Sequence, residues 1–391
     1  MNDLNHSMGN LAAALESKAL KVLTNLIDDE DVTEVAINHH QSVWYFHRRD
    51  GRMRINEQIF QHADAYRDTI VELMQLTNNP IPSLESHPGP ALEGSLRQGR
   101  SGSVHVFTEE GTSNEPVVTI RKQPLEIITL DNMLANGMMT EEMRLFLQMI
   151  VQGRANIVVS GAGAAGKTTM MRAFSQYVNP EERICTVEDI DELRIGTLPG
   201  RPSAAGGIGG RPGPLDNTVS LLTSKVYNDQ GILVRETTLS DLVKESLRAR
   251  VQRIWVGETR GAEADALVQA ATTGHDGSIT TVHAKTASYA MQQLRNYLHK
   301  AGHSVASAGE ALAEAFDVVV QIRQIRPGHR VITEIQELQT VTGGDQGAKQ
   351  LRQTIFGYDE QQGMFYRDQP PSRGLLAKFA EYGVDASRYG F

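Results

Sequence analysis

Residues 160–169 read SGAGAAGKTT, directly after the apolar run NIVVS at 156–160. Gly161, Gly166, Lys167 and Thr168 satisfy the spacing G-x-x-x-x-G-K-S/T, with a strand-like run before it and helix-forming sequence after it, which is the context that pattern requires. In that setting the backbone N–H groups from Gly163 to Thr168 converge on phosphate oxygens at a helix N-terminus. Lys167 then reaches the β- and γ-phosphates, and the Thr168 hydroxyl can ligate Mg2+. Ala162, Ala164 and Ala165 stand where such loops often carry glycine. If position 164 needs a left-handed backbone, an alanine there costs about 1–2 kcal/mol, and Gly163 offers the same freedom one residue earlier.

Outward from this loop, short apolar runs alternate with helical segments. RICTV (183–187), RIWVG (253–257), SITTVHA (278–284) and DVVVQIR (317–323) read as strands, while 239–250, 261–272 and 286–300 read as helices. Such alternation predicts an α/β fold with a mainly parallel sheet covered by helices. Before the loop, Met143, Phe146, Leu147, Ile150 and Val151 form one apolar helix face, with Gly153 as its C-cap. After it, residues 196–214, GTLPGRPSAAGGIGGRPGP, are so rich in Gly and Pro that the expectation is a long loop. The segment TIFGYDEQQGMFYRD (354–368) reads as a strand hairpin, and a last helix is expected over 374–382.

The first third of the chain has a different rhythm. A helix over 11–27 precedes two strand-like runs, VTEVAIN and SVWYFHRR, with a turn at Asp50-Gly51. A helix over 63–76, a Gly- and Ser-rich loop over 94–103 and the run PVVTIRKQP follow, and Pro124 suggests a boundary near residue 125. The expectation is a smaller α+β domain at 1–125 and an α/β domain at 126–391.

Three further clusters carry chemistry. RIWVGETR delivers Glu258 to the carboxyl end of a strand, the edge where ligands gather in open α/β sheets, and a carboxylate there can hold Mg2+ or orient water. ICTVEDIDEL ends in Glu188, Asp189, Asp191 and Glu192, acids that either polarise a water or charge the first turn of a helix. TTGHDGSITTVHA places His275 before a strand and His283 at its end, too far apart for a metal pair on one helix, though an imidazole beside a phosphate can register its charge.

Composition narrows the partners. The net charge of −9 opposes direct association with nucleic acid, and no block of five basic residues appears. One cysteine, Cys185, fits a reducing compartment. The first 20 residues lack a leader pattern and no run of 18 apolar residues occurs, so the chain reads as cytoplasmic.

Taken together and in this order, the motifs resemble the secretion and pilus ATPases of the type II/type IV secretion superfamily. GAGAAGKTT resembles their Walker A loop, TVEDIDEL their Asp box, IWVGETRGAEA their Walker B and TTGHDGSITTVHA their His box. The tail FDVVVQIRQIRPGHRVITEIQEL and the closing LLAKFAEYGVD look most like the CpaF/TadA branch, which drives tight-adherence pili, and DVTEVAINHHQSVWYFHRRDGRM resembles that branch's N-terminal strand pair. The resemblance implies a RecA-like P-loop ATPase domain with a smaller α+β N-terminal domain, assembled as a homohexamer. It further implies ATP and Mg2+ bound between the domains, and an inner-membrane platform protein as partner. By position, residues 161–169 including Thr169 bind nucleotide, Thr168 and Glu258 face the metal, and Glu188 is the general base. His275, His283 and Arg260 sense the γ-phosphate, and Arg121 at the domain junction clamps it.

This sequence departs from the family at three places. Residues 162–165 differ from the usual G-P-T-G-S-G-K-T, SGSVHV replaces an arginine-bearing G-S-R-V-N-A and leaves Arg97 or Arg100 as substitutes, and the Gly/Pro tract is long. Beside the motor stand two other readings, a nucleic-acid motor of a conjugation system and a nucleotide-switched scaffold with little turnover.

Overall fold

The computed structural model describes residues 17–391 apart from 48–49, 56, 85–89, 97–101, 113–114, 123–126, 197, 203–207, 212–214, 229, 231, 327 and 343–347. The start of the expected first helix and Arg97, Arg100 and Pro124 therefore lie outside the described residues. Helix α1 (Lys18–Asp28) begins where the Ser17 hydroxyl accepts the Leu20 N–H, and it buries Leu20, Leu23 and Ile27. Strands β1 (Val32–His39), β2 (Ser42–His47) and β3 (Gly51–Arg54), helix α2 (Ala63–Gln75), and strands β4 (Ala91–Ser95), β5 (Gly102–Phe107) and β6 (Val117–Lys122) follow. The strands form an antiparallel sheet in the order β3-β2-β1-β6-β5-β4. Alternate residues of its strands (Val35 and Ile37, Val104 and Val106, Val118 and Ile120) share one core with the buried faces of α1 and α2, as period-two patterning dictates.

The Gly- and Ser-rich tract is less of a loop than its composition suggests. Gly94, Ser95, Gly102 and Ser103 are strand residues. A Cβ on Gly94 would lie 2.5 Å from Thr77 Oγ1, so this glycine permits close packing rather than a turn.

Beyond residue 126 come α3 (Leu130–Ala135), α4 (Glu141–Gln152), β7 (Ile157–Gly161), α5 (Lys167–Phe174) and β8 (Ile184–Glu188). Next are β9 (Leu198–Pro202), β10 (Ile208–Arg211), β11 (Thr218–Leu222), β12 (Ser224–Tyr227), β13 (Leu233–Thr237), α6 (Leu239–Ser246), β14 (Arg253–Val256), α7 (Glu263–Thr272), β15 (Ile279–His283) and α8 (Ala287–Lys300). The chain ends with α9 (Val305–Ala315), β16 (Val318–Arg326), β17 (His329–Thr342), β18 (Ala348–Asp359), β19 (Met364–Arg367) and α10 (Arg373–Glu381).

The second sheet runs β11-β8-β14-β15-β7-β16-β17-β18-β19, with β11 to β16 parallel and the last three antiparallel. Both faces are covered, and the strands show it. Ile157 and Val159 of β7 belong to the core that holds α4, α5 and α10, whereas Val158 belongs to the core that holds α6 to α9. That two-sided burial is why these strands read as continuous apolar runs.

The Gly/Pro tract contains an antiparallel pair, β9 with β10, in which Ile208 opposes Pro202 and Gly209 opposes Arg201. The expectation of no strand at 196–214 is corrected to that extent: in a two-stranded ribbon every strand is an edge, where Pro and Gly are tolerated. Strand β11 and helix α9 were not anticipated. Helix α9, VASAGEALAEA, is built of small residues whose apolar period is faint, and its Ser304 cap supplies the start signal.

Candidate functional site

Parallel register brings four strand ends to one edge. Val187 of β8 pairs with Val256 of β14, Val256 with Thr280 of β15, and Thr280 with Val158 of β7. The residues just beyond these levels are therefore neighbours: Glu188, Glu258, His283 and the loop that starts at Gly161. Backbone approaches are tight here. A Cβ on Gly161 would lie 2.7 Å from Ile322 O, and one on Gly257 would lie 2.9 Å from Glu188 Cγ.

The loop has two left-handed residues, Ala164 at φ +58° and Gly166 at φ +100°, and Gly166 is the N-cap of α5. The glycine at 163 is not in that region, so the alanine itself takes the strained conformation. Ala162, Gly163 and Ala164 are exposed at the crest, while Ala165 is buried against the strand. Lys167 is 6% exposed; its Nζ donates to Ala162 O at 3.1 Å and lies 3.4 Å from both ring nitrogens of His283. Burial lowers the Lys167 ammonium's pKa, and the carboxylates of Glu258 and Glu192 oppose that shift. A desolvated ammonium facing two acids is poised to take up an anionic oxygen.

The acids divide into two kinds. Glu258 Oε1 lies 3.1 Å from His283 Nε2 and 2.9 Å from Arg260 Nε. Glu192 Oε2 accepts the Thr168 hydroxyl at 3.2 Å. Glu188, by contrast, is 2% exposed: its Oε1 accepts the N–H groups of Glu192 and Leu193 at 3.1 and 2.9 Å, and its Oε2 is buried with no hydrogen-bond partner among the described residues. Burial, reinforced by nearby Asp191, pushes the Glu188 carboxyl well above the usual range. Glu188 thus shapes the turn that hands Glu192 to Thr168. The Thr168 hydroxyl and the Glu192 and Glu258 carboxylates are hard oxygen donors of the kind Mg2+ takes, one or two protein oxygens beside phosphate oxygens and waters, so the residues fit that ion.

His275 is not brought to this edge. His275 precedes β15 and His283 ends it; seven residues lie between them, and the five-residue strand alone spans about 13 Å. The His275 N–H donates to Ala270 O and its carbonyl accepts the Ser278 hydroxyl at the opposite end of the sheet. Arg121 is exposed on β6, opposite Glu34 and Ser103, and among the described residues it makes no hydrogen bond or ion pair to the loop. Arg260 is present, held between Glu258 and Asp189, the latter at 4.0 Å. Thr169 lies within the first turn of α5, part-buried.

Other participants went unnoticed in the sequence. Arg330 of β17 donates from Nε to Ala164 O at 3.1 Å. The N-terminal sheet touches the acid turn directly, since Asp191 N–H donates to Ser95 Oγ at 2.8 Å, and Asn78 Nδ2 donates to Thr223 O at 2.8 Å. Separations of 166, 96 and 145 positions carry no local signal, so none of these contacts could be read from spacing.

The sequence model of the type II/IV secretion system protein family matches residues 108–356. One relative, a probable conjugal transfer protein TrbB of Sinorhizobium fredii, is 28% identical over 317 residues, which are 79% of this chain and 84% of that one. The type IV secretion system protein PtlH of Bordetella pertussis is 28% identical over 298 residues, 70% of this chain and 79% of its own. An uncharacterized protein of Methanocaldococcus jannaschii is 30% identical over 259 residues, 65% of this chain, which spans only 32% of that longer protein. Among solved structures, the ATPase DotB of Legionella pneumophila has 15% identity and a TM-score of 0.53, covering 89% of this chain and 83% of its own. The pilus retraction motor PilT with bound ADP has 15% identity and a TM-score of 0.50, covering 88% and 85%. At that identity the likeness concerns the fold, a RecA-like P-loop domain with a smaller α+β N-terminal domain.

Proposed function

The chain belongs to the type II/IV secretion system protein family, and from that premise and the loop geometry we propose that it is an ATP-hydrolysing motor of a secretion or pilus-assembly machine. One observation carries the reading: a strand-loop-helix with Lys167 and Thr168 at the helix start is met by Glu192, Glu258 and His283 from three other segments. The loop N–H groups and Lys167 bind the phosphates, and His283, linked to both Lys167 and Glu258, registers the γ-phosphate. Mg2+, held by Thr168 with Glu258 or Glu192 nearby, would neutralise phosphate charge. Burial disfavours the carboxylate of Glu188, so it acts as base only when the 189–193 turn loosens and admits water; the ionised form then accepts the proton of the attacking water.

The division at residue 125, the homohexamer, the inner-membrane platform partner and the cytoplasmic face are parts of the same proposal. No described helix is long and apolar enough to cross a membrane. Coupling between nucleotide and N-terminal domain is supported by the contact of Ser95 with the turn that carries Glu192. Placement nearest the CpaF/TadA branch rests on the tail and N-terminal motifs. A second reading, a motor of a conjugation system, is favoured by the conjugal transfer relative; a salt-sensitive shift of DNA by this protein would move the assignment there.

Glu188→Gln separates binding from turnover. We expect ADP affinity to stay within about threefold and kcat to fall at least about a hundredfold, the usual span of a lost base. Turnover at the wild-type rate contradicts the role given to Glu188.

A further inference from the structure

Both left-handed residues of the phosphate loop lie under one side chain. Arg330 Nε donates to Ala164 O at 3.1 Å, and a Cβ on Gly166 would meet Arg330 Cδ at 3.4 Å. The topology puts it there: β16 runs parallel to β7 with Ile322 opposite Gly161, and two residues further Gln324 opposes Arg330 across the β16–β17 hairpin. The hairpin end therefore overhangs the loop, and the exposed Arg330 folds back onto it.

Gly166 adopts its φ of +100° without steric cost, but Ala164 at +58° does not. A peptide that relaxes from this conformation turns its neighbouring N–H groups out of the phosphate cradle. We propose that Arg330 is a positioning residue that pins the Ala164 peptide in the anion-binding orientation, so that a loop with alanine at its crest stays preorganised for a nucleotide's phosphates. This rests on the nucleotide reading of the loop and adds a residue from the far end of the domain to it. The loop's tolerance of alanine and the presence of Arg330 are then one device rather than two facts.

A double-mutant cycle tests it, read by displacement of a fluorescent ADP with MgADP and MgATP and by the KM and kcat of phosphate release. Because Arg330 is exposed, its truncation leaves the cores intact. Arg330→Ala is expected to weaken nucleotide binding and raise KM about tenfold, the equivalent of about 1.4 kcal/mol, with kcat changed less than threefold. Arg330→Lys, which keeps a donor, recovers most of the loss. In an Ala164→Gly background, where the left-handed backbone is unstrained, Arg330→Ala costs less than threefold. Equal binding by wild type and Arg330→Ala overturns the inference, as does an undiminished loss in the glycine background, which would mean that Arg330 acts on the nucleotide directly. Wild-type protein that binds no nucleotide overturns the nucleotide reading and this inference together.

Discussion

Glu188 is nearly inaccessible, with one carboxylate oxygen taking two backbone N–H groups and the other buried without a partner among the described residues. Burial therefore favours its neutral form in the native state. The native state keeps a proton that the unfolded chain releases above its ordinary value near 4.5, so this contribution to stability is full below that pH and is lost as pH rises toward the raised native value. Glu188→Gln, which cannot ionise, should gain stability relative to wild type as pH rises above 4.5, as read by urea unfolding; a difference that does not change with pH contradicts the burial argument. The acids at 188–192 were legible as a cluster at a strand end, but which carboxylate meets the loop was not. That choice depends on a turn held by the backbone bonds of Glu188, and periodicity says nothing about turns of that kind.

Helix α4 illustrates how far pattern carries an element. Its apolar stripe and its glycine C-cap were readable, yet Gly153 does more than end a helix: a Cβ there would lie 2.3 Å from Phe379 Cδ1 of α10. Gly153→Ala should cost about 1–3 kcal/mol by overpacking. Gly309→Ala, in the middle of α9 with nothing within 4 Å of the added methyl, should instead stabilise by about 1 kcal/mol. Urea melts that give both substitutions the same sign would contradict this account of the two helices. Elements with strong period and clear flanks, β7, β8, β14, β15 and β16, were visible because each is buried on both faces. Helix α9 and the ribbon β9–β10 were not, since small residues blur the first and Gly and Pro hide the second.

At the scale of the molecule, parallel register converts scattered motifs into one edge. His283 reaches that edge and His275 does not, because a strand has two ends and a motif count ignores which one faces the ligand. Arg121 makes no hydrogen bond or ion pair to the loop among the described residues, while Ser95, in the same cross-strand row of the N-terminal sheet, holds the acid turn. Arg330 arrives from 166 residues away through two strand pairings, a contact that only the completed sheet defines. This edge is proposed to bind and hydrolyse ATP. The most direct measurement is steady-state phosphate release from Mg-ATP by the full chain, compared with Lys167→Ala. Turnover by wild type and a loss of at least about a hundredfold in the variant are expected. Equal rates, with or without the lysine, would contradict the proposal.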